Sequence, residues 1–502
     1  MSKTLIIRAD ADSSIGSGHV MRCIALGQAW QRVGGRVVFA TFCKNKVILD
    51  RLSDEKFTVL ELHDSGDFLE HLSSGIDNEP LGSWVVCDGY HFDASYHGSI
   101  RAIGYKLLVI DDYNHLPFYD CDILLNQNVM AKSFKYSFAK GCICLMGSQY
   151  VLLRSEFLRW RNRMCKIPAQ AKSILVTFGG SDLGNVTSRI IKILSCCDLN
   201  GWNVTIVTNS KNRGLGVLER QVFGHRNMIL IKDPTDMSAL MASSDMAITA
   251  GGTTCLELAF MGVPMIIAVT AENQFEAAKG LGDLCVGWNL GGADSIDDSD
   301  LLKKVSDMRD NTQLRRSMSE RQRQFIDGEG ASRIVSVICG QEPGFRSQYN
   351  LRDVCEDDAR LLWCWANDRS VRKVSFDSRP ITWDSHLKWL LEKIKDGNSM
   401  MLIVQDHCNP VGQIRLNRVS EYDAEISFSI SQEYRGRGAG SAALSLVIPI
   451  AQDKFGVKLL RGLVVNGNKA SEKTFLKSGF NPVYEDSTGC KYSCMVFERE
   501  IM

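Results

Sequence analysis

TLIIRADADSSIGSGHVMRCIALGQAWQRVGGRVVFATF, residues 4–42, carries the reading of the fold. An apolar run, TLIIRA (4–9), leads into a turn with glycines at 16 and 18. A segment with helical spacing follows, and then a second apolar run, RVVFATF (36–42). Strand, glycine turn, helix, strand is the βαβ order of a parallel sheet. Gly16 and Gly18 permit a tight turn and close approach of the backbone to a ligand. His19 and Arg22, three residues apart at the start of the helix, share one helical face. The positive end of a helix favours anions and lowers the pKa of a nearby imidazole. A neutral histidine there can take a proton from water. A phosphate-binding turn with an incidental histidine is the other reading of the same residues.

The alternation continues through FTVLEL (57–62), SWVVCD (83–88), KLLVIDD (106–112) and DILLN (122–126). It then restarts with SILVTFGGSD (173–182), NVTIVTNS (203–210), MILIKD (228–233), MAITAGG (246–252) and PMIIAVT (264–270). Two α/β halves are therefore expected, 1–150 and 151–338, with a cleft between them as a favoured ligand site. A polar Gly/Pro stretch, 339–348, reads as a linker. From 349 to 502 the pattern changes. MMLIVQD, VGQIRLNRV and AEISFSIS are consecutive strand-like runs with little helix between them, the mark of an α+β domain.

The chain has 502 residues, too many for one core. Lys plus Arg and Asp plus Glu both number 58, so there is no electrostatic footprint of a nucleic-acid binder. No apolar run approaches the roughly 20 residues of a membrane span, so no membrane partner is expected. The first residues, MSKTLIIRAD, lack the apolar core of a signal peptide. The 17 cysteines are scattered, many in apolar runs, with no CxxC pair. That usage fits reduced thiols and a cytoplasmic location rather than a disulfide or zinc framework.

The second half holds two more glycine turns after strands. FGGSD presents Gly179, Gly180 and Ser181. ITAGGTTCLELAFMGVP presents Gly251, Gly252, Thr253 and Thr254, then Glu257 on the first turn of a helix. Backbone N–H groups in such turns cradle phosphates, and a carboxylate beside them suits ribose hydroxyls. A simple dipole-complementing charge is the other reading of Glu257.

The stretches RADADSSIGSGHVMRCIALGQAW, CDGYHFD, VIDDYNH, TFGGSD and AGGTTCLELAFMGVPMIIAVTAENQ together resemble the UDP-sugar hydrolases of pseudaminic acid biosynthesis. That family is related to the GT-B glycosyltransferases, and the resemblance covers about residues 1–335. It implies two Rossmann-like halves in a GT-B arrangement and removal of UDP from UDP-2,4-diacetamido-2,4,6-trideoxy-β-L-altropyranose. It further implies that His19 activates water, that the anomeric carbon inverts and that no metal is required. By the same resemblance Tyr90 lies near the sugar, and Asn273 and Gln274 contact sugar and phosphate, with Gly18 and Arg22 in the substrate turn. Asp88 ends a strand and reads equally as a turn residue. Asp111 and Asp112 are surplus carboxylates whose partner, His19 or substrate, stays open.

In the third domain, ISQEYRGRGAGSAALSLVI places Arg435, Gly436, Arg437, Gly438, Ala439 and Gly440 between a strand and a helix. Small residues there let consecutive N–H groups face a pyrophosphate. This stretch resembles the GNAT N-acetyltransferases, over about 349–502. The resemblance implies acetyl-CoA as cosubstrate, with Asn468 as a coenzyme A contact and Glu425 as general base. A solvent-facing strand carboxylate is the other reading of Glu425. Many members carry a tyrosine general acid where this chain has Phe475, which has no proton to give. A bifunctional enzyme of UDP-sugar and acetyl-CoA chemistry is expected. The alternative is a GT-B glycosyltransferase, or a hydrolase for another nonulosonic acid, fused to an acetyltransferase.

Overall fold

The computed structural model describes residues 4–11, 16–64, 66–76, 82–162, 167–179, 182, 184–195, 201–340, 349–406, 409–483 and 494–501. The chain divides into two compact units, Met1–Ile338 and Cys339–Met502. Most of the expected linker, 341–348, lies outside the described residues.

The first unit contains two parallel sheets. One is built from β1 (Thr4–Ala9), β2 (Arg36–Thr41), β3 (Thr58–Glu61), β4 (Trp84–Asp88), β5 (Lys106–Ile110), β6 (Ile123–Asn126) and β7 (Ile143–Met146). Its order is β3-β2-β1-β4-β5-β6-β7. The other comprises β8 (Ser173–Thr177), β9 (Asn203–Thr208), β10 (Met228–Lys232), β11 (Met246–Ala250), β12 (Met265–Val269) and β13 (Trp288–Gly292). Its order is β10-β9-β8-β11-β12-β13. Both are Rossmann-like, as the alternating pattern predicts. β1, β4, β11 and β12 are buried along their whole length, which is why they read as unbroken apolar runs rather than as alternations.

In each sheet the strand order reverses beside the first strand, between β1 and β4 and between β8 and β11. Loops at the carboxyl ends of these strands line a natural crevice. The glycine turn of residues 16–18 follows β1, and the turn of residues 251–254 follows β11, so both stand at such reversals. Gly16 adopts φ +78°, a conformation that favours glycine and starts the helix Gly18–Arg32.

The second unit is one sheet in the order β14-β15-β16-β17-β18-β20-β19. Its strands are β14 (Tyr349–Asp353), β15 (Ser399–Asp406), β16 (Asn409–Arg418), β17 (Asp423–Ile430), β18 (Leu459–Val465), β19 (Asn481–Val483) and β20 (Cys494–Glu500). The helix Ala439–Phe455 packs on one face through Leu444 and Val447, against Ile414, Leu416 and Ile426. The helices Ala359–Asn367 and Trp383–Lys395 build the core on Met401 and Ile403 of the other face. β17 and β18 run parallel and pair only through Asp423–Glu425 and Leu459–Arg461. Beyond that point, toward the turn preceding Ala439, the two strands are not paired with each other.

Phe475 belongs to this core. It is 3% exposed and ringed by Phe428, Phe480 and Phe497, with centroids 5.4, 5.0 and 5.5 Å away. Its Cζ lies 2.4 Å from where a Cβ on Gly462 would stand, so the para position is already crowded. The missing tyrosine hydroxyl is therefore a packing matter as well as a chemical one. Phe475→Tyr is expected to destabilise the second unit by about 1–3 kcal/mol, through overpacking and a buried hydroxyl. Denaturant melts followed at that unit check this, and unchanged or raised stability contradicts it.

Candidate functional site

The site grows from one buried cation. The Arg22 guanidinium donates through Nε and Nη2 to Asp88 at 2.6 and 2.7 Å, and through Nη1 to both oxygens of Asp112 at 2.8 Å. Arg22 is 3% exposed and Asp88 fully buried. Burial alone draws the guanidinium down and drives the carboxyl up. The mutual charges outweigh it, so Arg22 is held well above its ordinary range and Asp88 well below.

His19 stands one helical turn before Arg22. Its Nδ1 lies 2.7 Å from Asp88 Oδ1 and 3.2 Å from Arg22 Nη2. An ionised Asp88 and a permanently protonated arginine can share Nδ1 in only one way: Nδ1–H donates to the carboxylate. The lone pair then resides on Nε2. Asp88, read from the sequence as a strand-end residue, thus orients the imidazole, the role that the sequence left open for Asp111 and Asp112.

Tyr90 meets His19 edge to face, with centroids 4.7 Å apart. Its hydroxyl donates to Asp112 Oδ2 at 2.5 Å and accepts from Asn273 Nδ2 at 3.0 Å. Burial and then the Asp112 carboxylate push the phenol far above its usual pKa, so it stays protonated. Asn128 Nδ2 also donates to Asp112, at 2.8 Å. Of the two surplus carboxylates, Asp112 therefore serves Arg22 and Tyr90. Asp111 turns the other way and accepts from His115 Nδ1 at 2.5 Å, Tyr136 at 2.6 Å and Tyr119 at 2.9 Å.

Asn273 reaches Tyr90 from the second half, and the glycine turns of the two halves also meet. A Cβ on Gly18 would lie 3.7 Å from Thr253 Oγ1. The amino ends of the helices Gly18–Arg32 and Thr254–Met261 therefore lie close together, and the positive ends of helix dipoles favour an anion. Gln274 Oε1 accepts from the N–H groups of Gly251 and Thr270, at 3.1 and 3.0 Å, and so holds the turn containing Gly252 and Thr253. Glu257 is raised by burial against the pull of Arg154, which binds its Oε1 at 2.9 Å. Gly179 follows β8 with φ +75°, whereas Gly180 and Ser181 lie outside the described residues.

In the second unit the turn before Ala439 has the shape of an anion cradle. Gly436 and Gly438 take φ +76° and +89°, and Gly438 caps a 17-residue helix containing Gly440. Arg435 binds Ile430 O and Ser370 Oγ at 2.9 and 2.7 Å, which ties the cradle to the end of β17. The Arg437 guanidinium lies over the Tyr434 ring, 5.3 Å from its centroid. Asn468 caps the next helix by accepting from Ser471 N at 3.2 Å. Glu425 stands on the last paired rung between β17 and β18, opposite Arg461. Among the described residues, no three His, Cys, Asp or Glu side chains are arranged to hold a metal ion, and no helix is long and apolar enough to cross a membrane.

Comparison with known proteins agrees with the motif resemblances. Residues 173–334 match the glycosyltransferase family 28 C-terminal domain, and residues 349–481 match the acetyltransferase (GNAT) domain. An uncharacterized protein of Methanocaldococcus jannaschii is 23% identical over 95% of this chain and 96% of its own length. The UDP-2,4-diacetamido-2,4,6-trideoxy-β-L-altropyranose hydrolase of Campylobacter jejuni is 26% identical over 55% of this chain and 95% of its own. Among solved structures, MurG of Acinetobacter baumannii is similar at a TM-score of 0.45 and 13% identity, over 67% of this chain and 99% of that one.

Sequence reasoning missed Asn128, Arg154 and His115. The last was quoted within VIDDYNH, but only its carboxylates were weighed. Arg22→Met leaves the buried Asp88 and the partly buried Asp112 without their cation. A loss of about 3–5 kcal/mol in the stability of the first unit is expected from urea unfolding. A loss below about 1 kcal/mol, the scale of an exposed pair, contradicts the buried arrangement.

Proposed function

We propose that the chain is a bifunctional enzyme acting on one class of UDP-activated amino sugar. The first unit hydrolyses a UDP-2,4-diacetamido-2,4,6-trideoxyhexose, of the altropyranose kind cleaved by the Campylobacter relative, to UDP and the free sugar. The second unit acetylates the 4-amino precursor with acetyl-CoA. The observation that carries the first assignment is the His19–Asp88 pair, oriented by Arg22 beside two converging helix amino ends.

In this reading UDP occupies the turn of residues 251–254, with Glu257 at the ribose. Water approaches the anomeric carbon as His19 Nε2 accepts its proton. The new carbon–oxygen bond forms as the bond to the diphosphate breaks, and the electron pair leaves on UDP. The amino ends of the two helices stabilise that developing charge, and Asp88 stabilises the imidazolium. Tyr90, which donates to Asp112 and accepts from Asn273, acts as a positioning wall rather than as an acid.

In the acetyltransferase unit the cradle Arg435–Gly440 suits the pyrophosphate of coenzyme A. The unpaired edge of β17 offers backbone partners to the amides of its pantetheine arm. Five residues, about 16 Å of strand, separate Ile430 from Glu425, and the extended arm spans such a distance. The thioester then lies at the paired end of β17 and β18, where Glu425 is proposed to receive the proton of the attacking amine. The amine nitrogen bonds to the acetyl carbon, the carbon–sulfur bond breaks, and coenzyme A leaves as the thiolate with the electron pair of that bond.

Incubation of the full chain with a UDP-4-amino-sugar and acetyl-CoA, followed by mass spectrometry, tests the whole reading. A UDP-diacetamido sugar, then UDP and free sugar, are expected. Transfer of the sugar to an added acceptor with no hydrolysis would favour the glycosyltransferase alternative. His19→Asn should lower kcat for UDP release by about 10²–10⁴, with UDP affinity changed only a few-fold. Near-normal turnover contradicts the assignment.

A further inference from the structure

A second histidine–carboxylate pair, His115 and Asp111, flanks Tyr90. Asp111 is fully buried and accepts from His115 Nδ1 at 2.5 Å. Burial pushes the Asp111 carboxyl up, but hydrogen bonds from His115, Tyr136 and the Asn114 N–H prevail and hold it below its ordinary range. An ionised Asp111 makes Nδ1 the donor, and in the neutral imidazole Nε2 then carries the lone pair. The His115 side chain is 10% exposed, and its Nε2 is buried without a hydrogen-bond partner among the described residues. Buried polar atoms are ordinarily satisfied, so an orphan acceptor held this firmly calls for a partner.

The surroundings indicate which partner. The His115 ring packs on Tyr90 at 5.4 Å and on Tyr113 at 5.6 Å, both between centroids. Tyr90 in turn touches His19 at 4.7 Å. Tyr90, Tyr113 and His115 thus continue the wall that begins at the proposed general base. Tyr119 is buried behind His115, and the Tyr90 hydroxyl is fixed by Asp112 and Asn273. Tyr90, Tyr113 and His115 are each partly exposed, so this wall reaches the surface of the site.

We infer that His115 is a specificity-determining residue, whose Nε2 accepts a hydrogen bond from an acetamido N–H or hydroxyl of the sugar while Tyr90 and Tyr113 cover an apolar face of the ring. The inference rests on the nucleotide-sugar reading of this site. Asp111 is the positioning residue that fixes the imidazole tautomer. His19 recognises water and His115 recognises the sugar.

The test is calorimetric binding in the His19→Asn background, where turnover is suppressed, with UDP-N-acetylglucosamine, a UDP-diacetamido-trideoxyhexose and UDP as probes. His115→Phe should weaken the diacetamido sugar about tenfold, the order of one buried hydrogen bond, and leave UDP unchanged. His115→Gln, whose amide oxygen can replace the Nε2 acceptor, should recover part of that loss. A loss confined to the diacetamido sugar assigns the donor to a 4-acetamido N–H, and an equal loss for both sugars assigns it to a group they share. Unchanged affinity for every sugar overturns the inference, and so does an equal loss for sugars and UDP, which would mark a structural role. If the His19→Asn chain with His115 intact binds no UDP-sugar at all, the nucleotide-sugar reading itself fails, and that outcome is separate from both.

Discussion

Arg22 is a single cation facing one buried and one partly buried carboxylate, and the first unit is organised around it. Without it, Asp88 and Asp112 would be two uncompensated charges at the carboxyl side of a buried sheet, a state too costly to keep. With it, each aspartate has accepting capacity left for another group. Asp88 gives its second contact to His19, which fixes the tautomer. Asp112 gives its own to Tyr90 and Asn128, and Tyr90 carries the chain on to Asn273 in the other half. Stability, tautomer and the contact between halves thus depend on one side chain. The desolvation that makes the cluster expensive also strengthens every interaction inside it.

The geometry of the sheets explains why these residues meet. His19 follows β1 and Asp88 ends β4, adjacent strands at the point where the order reverses. Asp112 follows β5, the next strand along. Three segments separated by dozens of residues therefore converge at one end of the sheet. The second half repeats the device, with the turn after β11 at its own reversal. The second unit presents a candidate anion cradle by another route, at a helix amino end that follows a strand paired with its neighbour over only three residues.

Much of this was legible in the sequence, and the reasons for the rest are physical. Central strands such as VVCD and MIIAV are buried on both faces, so they announce themselves as apolar runs. β7 and β13 escaped notice because they are edge strands, partly exposed and, in WNLGG, rich in glycine. The turns of residues 16–18, 251–254 and 435–440 were readable because glycine at a strand-to-helix junction has a local conformational cause. The partners of their side chains were not. Asp88 lies 66 residues from Arg22, and Asn273 lies 183 from Tyr90. Spacing along the chain carries no information about such contacts. The same limit hid His115: a histidine beside two aspartates looks like a solvated loop until the fold buries it.

The central claim is that Asp88, neutralised by Arg22, presents His19 with Nδ1 protonated and Nε2 bare. Long-range ¹H–¹⁵N correlation spectra of the full chain with ¹⁵N-labelled histidine, recorded at alkaline pH and assigned through His19→Asn, read this directly. The account predicts a pyrrole-type Nδ1 and a pyridine-type Nε2 for His19, with that pattern lost in Asp88→Asn. A protonated Nε2 in the unsubstituted chain, or an unaltered tautomer in Asp88→Asn, would contradict it.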